Sequence, residues 1–98
     1  MKRMEIRQTE LFANWFGGLR DRQARRRIQA RIDRLQIGNP GDVGPVGAGV
    51  SELRIDYGPG YRVYFVQRGR TLIILLAGGD KGTQQKDIAT ALEMARRV

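Results

Sequence analysis

The chain has 98 residues, of which 41% are hydrophobic and 29% are charged, a composition typical of one folded domain with a modest core. It contains no cysteine and no histidine, which excludes disulfide bonds, thiolate metal ligands and a histidine-dependent catalytic triad. Its 18 basic residues outnumber its 10 acidic residues, for a net charge of +8. A small domain this basic usually meets a polyanion, most often nucleic acid, although the charge can also serve solubility alone.

The first ten residues, MKRMEIRQTE, carry charges where a secretory signal needs an apolar core. No apolar run approaches the roughly 20 residues that cross a bilayer. We therefore expect a cytoplasmic protein without membrane contact, folded as a single domain over residues 1–98. The scattered acidic residues show no metal-binding spacing, so we expect neither a metal ion nor another cofactor.

The first half of the chain predicts a short strand followed by two helices. Residues 4–8 fit an edge strand, and Thr9 can cap the helix after it. Asp21 and Gly38 suit the start and the stop of the second helix. In the first helix, large apolar residues recur at helical spacing, which favours packing against a sheet over a base-stacking platform. These residues are Leu11, Phe12, Trp15, Phe16 and Leu19.

The segment after the second helix predicts a loop and then three strands. Residues 39–50 are rich in glycine and proline without any periodicity, which indicates a loop. Alternating apolar and polar residues then predict a meander with two tight turns. Its third strand contains the run LIILLA, so we expect it inside the sheet with both faces covered. The three predicted strands span residues 51–57, 61–67 and 71–77.

A last helix is predicted to open at Thr83 or Gln84. The elements therefore predict an α+β fold in the order β-α-α-β-β-β-α. In this fold an antiparallel sheet packs against a helical hairpin, and a helix ends the chain.

Most of the excess charge lies on and just before the second predicted helix. Seven arginines surround its apolar stripe, with only Asp21 and Asp33 to offset them. They form either a solvated helix face or a patch that binds phosphates, and the second interpretation predicts contact with RNA or the ribosome. The predicted RNA-binding residues, with one lysine from the last helix, are Arg20, Arg22, Arg25, Arg26, Arg27, Arg31, Arg34 and Lys86.

Two further arginines lie on predicted strands. Arg54 and Arg62 are joined by a tight turn, so both can face one side of the sheet and clamp a phosphate in bidentate geometry. Such a pair suits metal-free cleavage of RNA, in which the ribose 2′-OH attacks the adjacent phosphate. A basic sheet that only binds would carry the same residues. Arg62 could also pair with Glu52 or Asp56 across the hairpin and serve stability alone.

Five short motifs occur in an order that is specific, although each motif alone is not. They are GNPGD at 38–42, SELRI at 51–55, GPGYRVY at 58–64, LAGGDK at 76–81 and DIA at 87–89. Together they resemble the small toxins of the RelE/ParE superfamily, in particular the HigB-like addiction module killer group. The resemblance covers residues 13–95 and implies a helical hairpin packed on an antiparallel sheet.

The resemblance also implies roles for individual residues. Arg54 and Arg62 match strand arginines that contact and stabilise the scissile phosphate, and Lys81 matches a basic residue that follows the last strand. RelE-like nucleases often place a tyrosine or histidine near the end of the sheet for proton transfer, whereas this chain has Asp80 followed by Lys81. Lys81 is therefore the first candidate for the general base and Tyr64 the second. The predicted catalytic residues are Arg54, Arg62, Lys81 and Tyr64.

The resemblance leaves three functions open. The first is a metal-independent endoribonuclease toxin of a type II toxin–antitoxin system, which cuts mRNA in the ribosomal A site. Its partners would be mRNA, the ribosome and a cognate antitoxin, expected to be an adjacently encoded helix-turn-helix DNA-binding protein. The second is a ParE-like inhibitor of DNA gyrase with the same fold, and the third is an inactive toxin that only binds its antitoxin. The strand motifs favour the nuclease.

Overall fold

The computed structural model describes residues 3–98, which form one five-stranded sheet with helices on both of its faces. In chain order the elements are β1 (Glu5–Gln8), α1 (Glu10–Gly17), α2 (Arg22–Gln36), β2 (Val43–Gly47), β3 (Val50–Ile55), β4 (Tyr61–Arg68), β5 (Leu72–Asp80), a 3-10 turn (Lys81–Thr83) and α3 (Gln84–Arg97). The strands lie side by side in the order β1-β5-β4-β3-β2. All neighbouring strands are antiparallel except β1 and β5, which are parallel.

The predicted α+β class is confirmed, and the architecture is consistent with a RelE-like fold. One prediction is wrong: residues 39–50 do not form a loop throughout, because they contain β2. This strand is outermost and pairs only with β3, so Pro45, which has no N–H to donate, is tolerated there. Its glycines and its proline hide the strand pattern.

A second difference concerns the direction of β1, which makes the sheet mixed and not purely antiparallel. Strands β2 to β5 each reverse direction at a turn. After three reversals the chain runs along β5 in the direction of β1, and β1 fills the edge beside it. The parallel pairing joins Glu5 to Leu72 and Gln8 to Leu75. Sequence periodicity predicts strands but not which distant strand becomes a neighbour.

The helix starts follow the predicted caps. The Thr9 hydroxyl accepts a hydrogen bond from the Phe12 N–H at 3.0 Å and donates one to the Leu76 carbonyl at 2.7 Å. The Asp21 carboxylate accepts from the N–H groups of Gln23 and Ala24 at 2.9 and 3.1 Å. Each cap supplies acceptors for amides that have no partner inside the first helical turn.

The core has one layer on each side of the sheet. Strand β5 serves both layers, because Ile73 and Leu75 face α1 and α2 while Ile74 and Leu76 face α3. This confirms that the LIILLA run belongs inside the sheet with both faces covered. The aromatic residues of α1 also pack as predicted, with Phe12 fully buried in the layer under α1 and α2.

Arg31 of α2 ties the beginning of β2 to the end of β3. Its guanidinium donates to the carbonyl oxygens of Arg54 at 2.5 Å, Pro40 at 2.8 Å and Asp42 at 2.9 Å. Burial, more than the neighbouring Arg34, lowers the pKa of Arg31, while Asp42 opposes this effect. Hydrogen bonds from a charged donor to buried carbonyls are strong, so Arg31 fastens three segments of the chain together.

Within residues 3–98, no helix has both the length and the apolar character needed to cross a membrane.

Arg31→Ala should lower the free energy of unfolding by about 3 kcal/mol, because it leaves three carbonyl groups without their charged donor. For a domain of this size the melting temperature should fall by more than about 10 °C. The matched control is Arg34→Ala, which removes an exposed arginine of the same helix and should change stability by less than about 0.5 kcal/mol. Thermal unfolding of both variants tests this, and equal melting temperatures would contradict it.

Candidate functional site

The two strand arginines lie next to each other on the face of the sheet that α3 covers. Arg54 of β3 and Arg62 of β4 are direct partners in the antiparallel register. Their neighbours Leu53 and Val63 point into the layer under α1 and α2. Because side chains alternate along a strand, Arg54 and Arg62 must point to the opposite face. The structure therefore brings these two predicted residues together.

Arg54 is held between two carboxylates. Its Nε donates to Glu52 Oε2 and its NH1 donates to Asp42 Oδ1, each at 3.0 Å. These carboxylates, Asp42 first, raise the pKa of Arg54. The guanidinium lies against the backbone of Gly44 on β2, where an added Cβ would come within 2.2 Å of NH2. Arg54 is consequently fixed in direction, and its positive charge is offset locally.

Arg62 has a different environment. In residues 3–98 it forms no salt bridge, and its Nε is buried without a hydrogen-bond acceptor. The alternative pairing with Glu52 is not formed, because Glu52 binds Arg54 and Gln84 instead. Pairing with Asp56 is not formed either. A partly exposed guanidinium without an anionic partner is suited to bind one.

Tyr64 lies two residues after Arg62 and is fully buried under α3. Its hydroxyl has no hydrogen-bond partner in the described part of the chain. Burial, followed by the charges of Glu52 and Asp87, raises the pKa of Tyr64 to about 12. At neutral pH the phenol is therefore protonated and can donate a hydrogen bond, but it is poorly suited to accept a proton.

The end of β5 brings further charged residues to this face. The Asp80 carboxylate caps the 3-10 turn by accepting a hydrogen bond from the N–H of Gly82 at 2.8 Å. Lys81 is exposed and lies beside the turn between β3 and β4. The Asp87 carboxylate lies directly over Gly79, whose register partner on β4 is Arg62. Lys86 is exposed in the first turn of α3. The predicted catalytic lysine thus stands at the same end of the sheet as the arginine pair.

The arginines of α2 are on the other side of the sheet. Arg22, Arg25 and Arg26 line a cleft of about 330 Å³ together with Phe16 and Gln29. Nearby, the Arg27 guanidinium lies over the Tyr57 ring, 4.8 Å from its centroid. Of the predicted RNA-binding residues, Arg20 and Arg34 are exposed, whereas Arg31 is engaged by backbone carbonyls. The arginines of α2 and the strand arginines therefore lie on two separate surfaces.

Sequence reasoning named Glu52 only as a possible partner of Arg62, and it missed the positions of Asp42, Gly44 and Gln84 around Arg54. Alternation could have placed Glu52 on the same face as Arg54, two residues later. Nothing in the sequence pattern connects Asp42 or Gln84 to that strand, because both contacts depend on tertiary packing. In residues 3–98 no group of three or more acidic side chains is placed to hold a metal ion.

Comparison with known proteins adds two findings. The model of a family described as phage-derived protein Gp49-like (DUF891) matches residues 14–97. An uncharacterized protein of Haemophilus influenzae is 47% identical over 95 residues, which cover 97% of this chain and 96% of that protein.

Tyr64→Phe should leave the folded protein as stable as the parent or more stable by up to about 1 kcal/mol, because it removes a buried hydroxyl without a partner. The parent should also lose stability as the pH rises from the ordinary tyrosine pKa of 10.0 towards about 12, since the folded state binds this proton more tightly than the unfolded state.

The alkaline loss of stability should be smaller in Tyr64→Phe. The matched control is Tyr61→Phe, which changes a half-buried tyrosine of the same strand and should keep the alkaline behaviour of the parent. Urea unfolding at a series of pH values measures the effect. Identical alkaline profiles for the parent and Tyr64→Phe would contradict the assigned pKa.

Proposed function

Because the chain belongs to the Gp49-like family, a toxin-like addiction-module family related to RelE-type toxins, we propose that it is the toxin of a type II toxin–antitoxin system, with a mechanism like that of the HigB-like group. In this proposal it is a metal-independent endoribonuclease that cuts ribosome-bound mRNA and so stops translation. The observation that carries the proposal is Arg62, an arginine without an acidic partner beside the firmly held Arg54.

Metal-free cleavage of RNA requires little covalent chemistry from the protein. The 2′-oxygen forms a bond to the adjacent phosphorus while the bond from phosphorus to the 5′-oxygen breaks. The 2′-OH gives up its proton to a base, and the leaving 5′-oxygen takes a proton from an acid, so the products are a 2′,3′-cyclic phosphate and a 5′-OH. The protein must align the attack and stabilise charge on the phosphoryl oxygens.

Arg62 is the proposed donor to the phosphoryl oxygens, because its guanidinium is partly exposed and forms no salt bridge within residues 3–98. Arg54 is proposed to present its remaining N–H groups beside it. A planar guanidinium can bind two oxygens of one phosphate, which a lysine ammonium cannot do. Together the two arginines would favour the transition state, in which negative charge on these oxygens is greatest.

Lys81 is the proposed proton-transfer residue. It is exposed at the end of β5, whereas Tyr64 is buried and keeps its proton at neutral pH. Lys86, exposed one turn further on, would contact the RNA backbone. Tyr64 would act as a hydrogen-bond donor and not as a base.

The basic surface of α2 is proposed to contact RNA or the ribosome at a place other than the scissile phosphate. It lies across the sheet from the arginine pair, so its phosphate contacts would be separate from those at the scissile phosphate. Its arginines would bind backbone phosphates without reading sequence. We propose that the protein works in the cytoplasm as a single domain, with a cognate antitoxin, encoded adjacently and of the helix-turn-helix type, whose docking surface is acidic.

Arg62→Ala should reduce single-turnover cleavage of ribosome-bound mRNA by roughly 10²–10³-fold, since one preorganised donor to the phosphoryl oxygens is lost. Arg62→Lys should recover little of this activity, because a point charge cannot replace the two-pronged contact. The matched control is Arg70→Ala, which removes an exposed arginine from the turn between β4 and β5.

The melting temperature of Arg62→Ala should equal that of the parent, because no salt bridge is lost. A variant that melts normally and cleaves within a few-fold of the parent rate would remove Arg62 from the site. Arg70→Ala should match the parent in both measurements.

Expression of the protein without its antitoxin should stop growth by stopping translation. Incorporation of labelled methionine should therefore fall before incorporation of labelled thymidine. Primer extension should show new 5′ ends within mRNA. If DNA synthesis stops first and cleaved gyrase complexes accumulate, the chain is a ParE-like gyrase inhibitor; if growth continues, it is an inactive toxin.

A further inference from the structure

The first residue of α3 is linked to Arg54 through a buried carboxylate. Gln84 Nε2 donates to Glu52 Oε1 at 3.1 Å, and Arg54 Nε donates to Glu52 Oε2 at 3.0 Å. The Glu52 side chain is only 4% exposed, so both of its oxygens depend on these protein donors. A buried carboxylate that loses one donor must find another or leave its position.

The same chain of contacts continues to the start of β2. Asp42 holds the NH1 atom of Arg54, and Gly44 leaves room for NH2. With two carboxylates against one guanidinium, Arg54 adds no net positive charge to this face. Arg54 can still bind an anion through its remaining N–H groups, and the direction of these groups is set by Glu52 and Asp42.

We propose that Gln84 is a positioning residue, which fixes Glu52 and through it the direction of the Arg54 guanidinium beside Arg62. The first turn of α3 is then coupled to Arg54 through Glu52, so a shift of α3 changes the direction of the Arg54 N–H groups. The proposal deepens the proposed function and rests on it for its effect on catalysis. The coupling between Gln84 and Arg54 can be measured whether or not the protein cleaves RNA.

Gln85 provides a matched control. It is the next residue of α3 and has the same side chain, but it is exposed and its side chain makes no hydrogen bond in residues 3–98. The four variants are therefore Gln84→Ala, Gln84→Glu, Gln85→Ala and Gln85→Glu. The residue types change in the same way at the two positions, whereas partial burial and the contact with Glu52 are found at Gln84 and not at Gln85.

The direct readout is the NMR signal of the Arg54 Nε–H group, identified by its loss in Arg54→Lys. In the parent this signal should be shifted away from those of solvated arginines and exchange slowly with water, because its proton is bound by Glu52. Gln84→Ala should move it towards the solvated position and speed its exchange at least tenfold. Gln85→Ala should leave it unchanged. An Arg54 signal that is the same in Gln84→Ala and in the parent would overturn the proposal.

Gln84→Glu adds a pH test. It places a second carboxylate against Glu52, and two neighbouring carboxylates share a proton, which raises one pKa of the pair above its ordinary value of about 4.3. Arg54 and Asp42 face the pair from the β2–β3 side. On β4, Tyr64 faces Glu52 and is also affected by the charges of Asp87, Arg62 and Asp80.

The sign of the pH effect follows from the raised pKa. The folded state of Gln84→Glu binds the shared proton more tightly than the unfolded state, so stability is retained near pH 4 and is lost as the pH rises through the raised pKa. The Arg54 signal of this variant should resemble that of the parent at low pH and differ at pH 8. The Arg54 signal of Gln85→Glu should match that of the parent at both pH values, because residue 85 is exposed and does not contact Glu52. A Gln84→Glu profile parallel to that of Gln85→Glu would contradict the proposal.

Cleavage of ribosome-bound mRNA separates this inference from the proposed function. Gln84→Ala should lower kcat about tenfold with little change in KM, and Gln85→Ala should have no effect. If the parent itself does not cleave, the proposed function fails, whereas the NMR and pH results still decide whether Gln84 positions Arg54. If the parent cleaves and Gln84→Ala cleaves equally fast with an unchanged Arg54 signal, the positioning role is disproved.

Discussion

Burial of both faces of β4 and β5 is the constraint on which the rest of the structure depends. These strands alternate between two apolar layers, so the sheet needs helices on both sides to exclude water. Charged side chains remain on the α3 face at the two ends of its cover, with Arg68 where α3 ends and two further arginines where α3 begins. Arg54 and Arg62 lie there, since Gln84 reaches Glu52 and Asp87 lies over the register partner of Arg62. The position of the candidate site is thus a result of where the last helix starts.

The sequence predicts what depends on neighbouring residues and misses what depends on distant ones. Caps at Thr9 and Asp21, the apolar run of β5 and the side of the sheet that Arg54 and Arg62 share all follow from local pattern, and the structure agrees. The sequence does not predict β2, because its glycines and proline are typical of a loop. It predicts β1 as a strand but not its parallel pairing with β5, because periodicity does not encode which strands pair. The same holds for the candidate site: the sequence predicts which residue types share one face of the sheet, but it does not predict which of them are in contact.

Arg54 and Arg62 look equivalent in the sequence, yet their surroundings give them different properties. One is bound by two carboxylates, and the other has a buried N–H without an acceptor. A guanidinium with fixed direction and one with unused hydrogen-bonding capacity are complementary, since the first can align an anion and the second can attract it. The arginines of α2, across the sheet, are a separate surface. Net charge alone therefore does not describe how the arginines of this protein are arranged.

The parallel pairing of β1 with β5 brings two distant segments of the chain together in space, since residues 5–8 are aligned with residues 72–75. During synthesis the first strand emerges long before its partner exists. Until β5 has emerged, β1 has no strand to pair with and the apolar layer under α1 and α2 is incomplete. Pairing between strands so far apart in the sequence is slow compared with helix formation. A nascent chain of this protein therefore cannot complete its sheet before β5 has emerged from the ribosome.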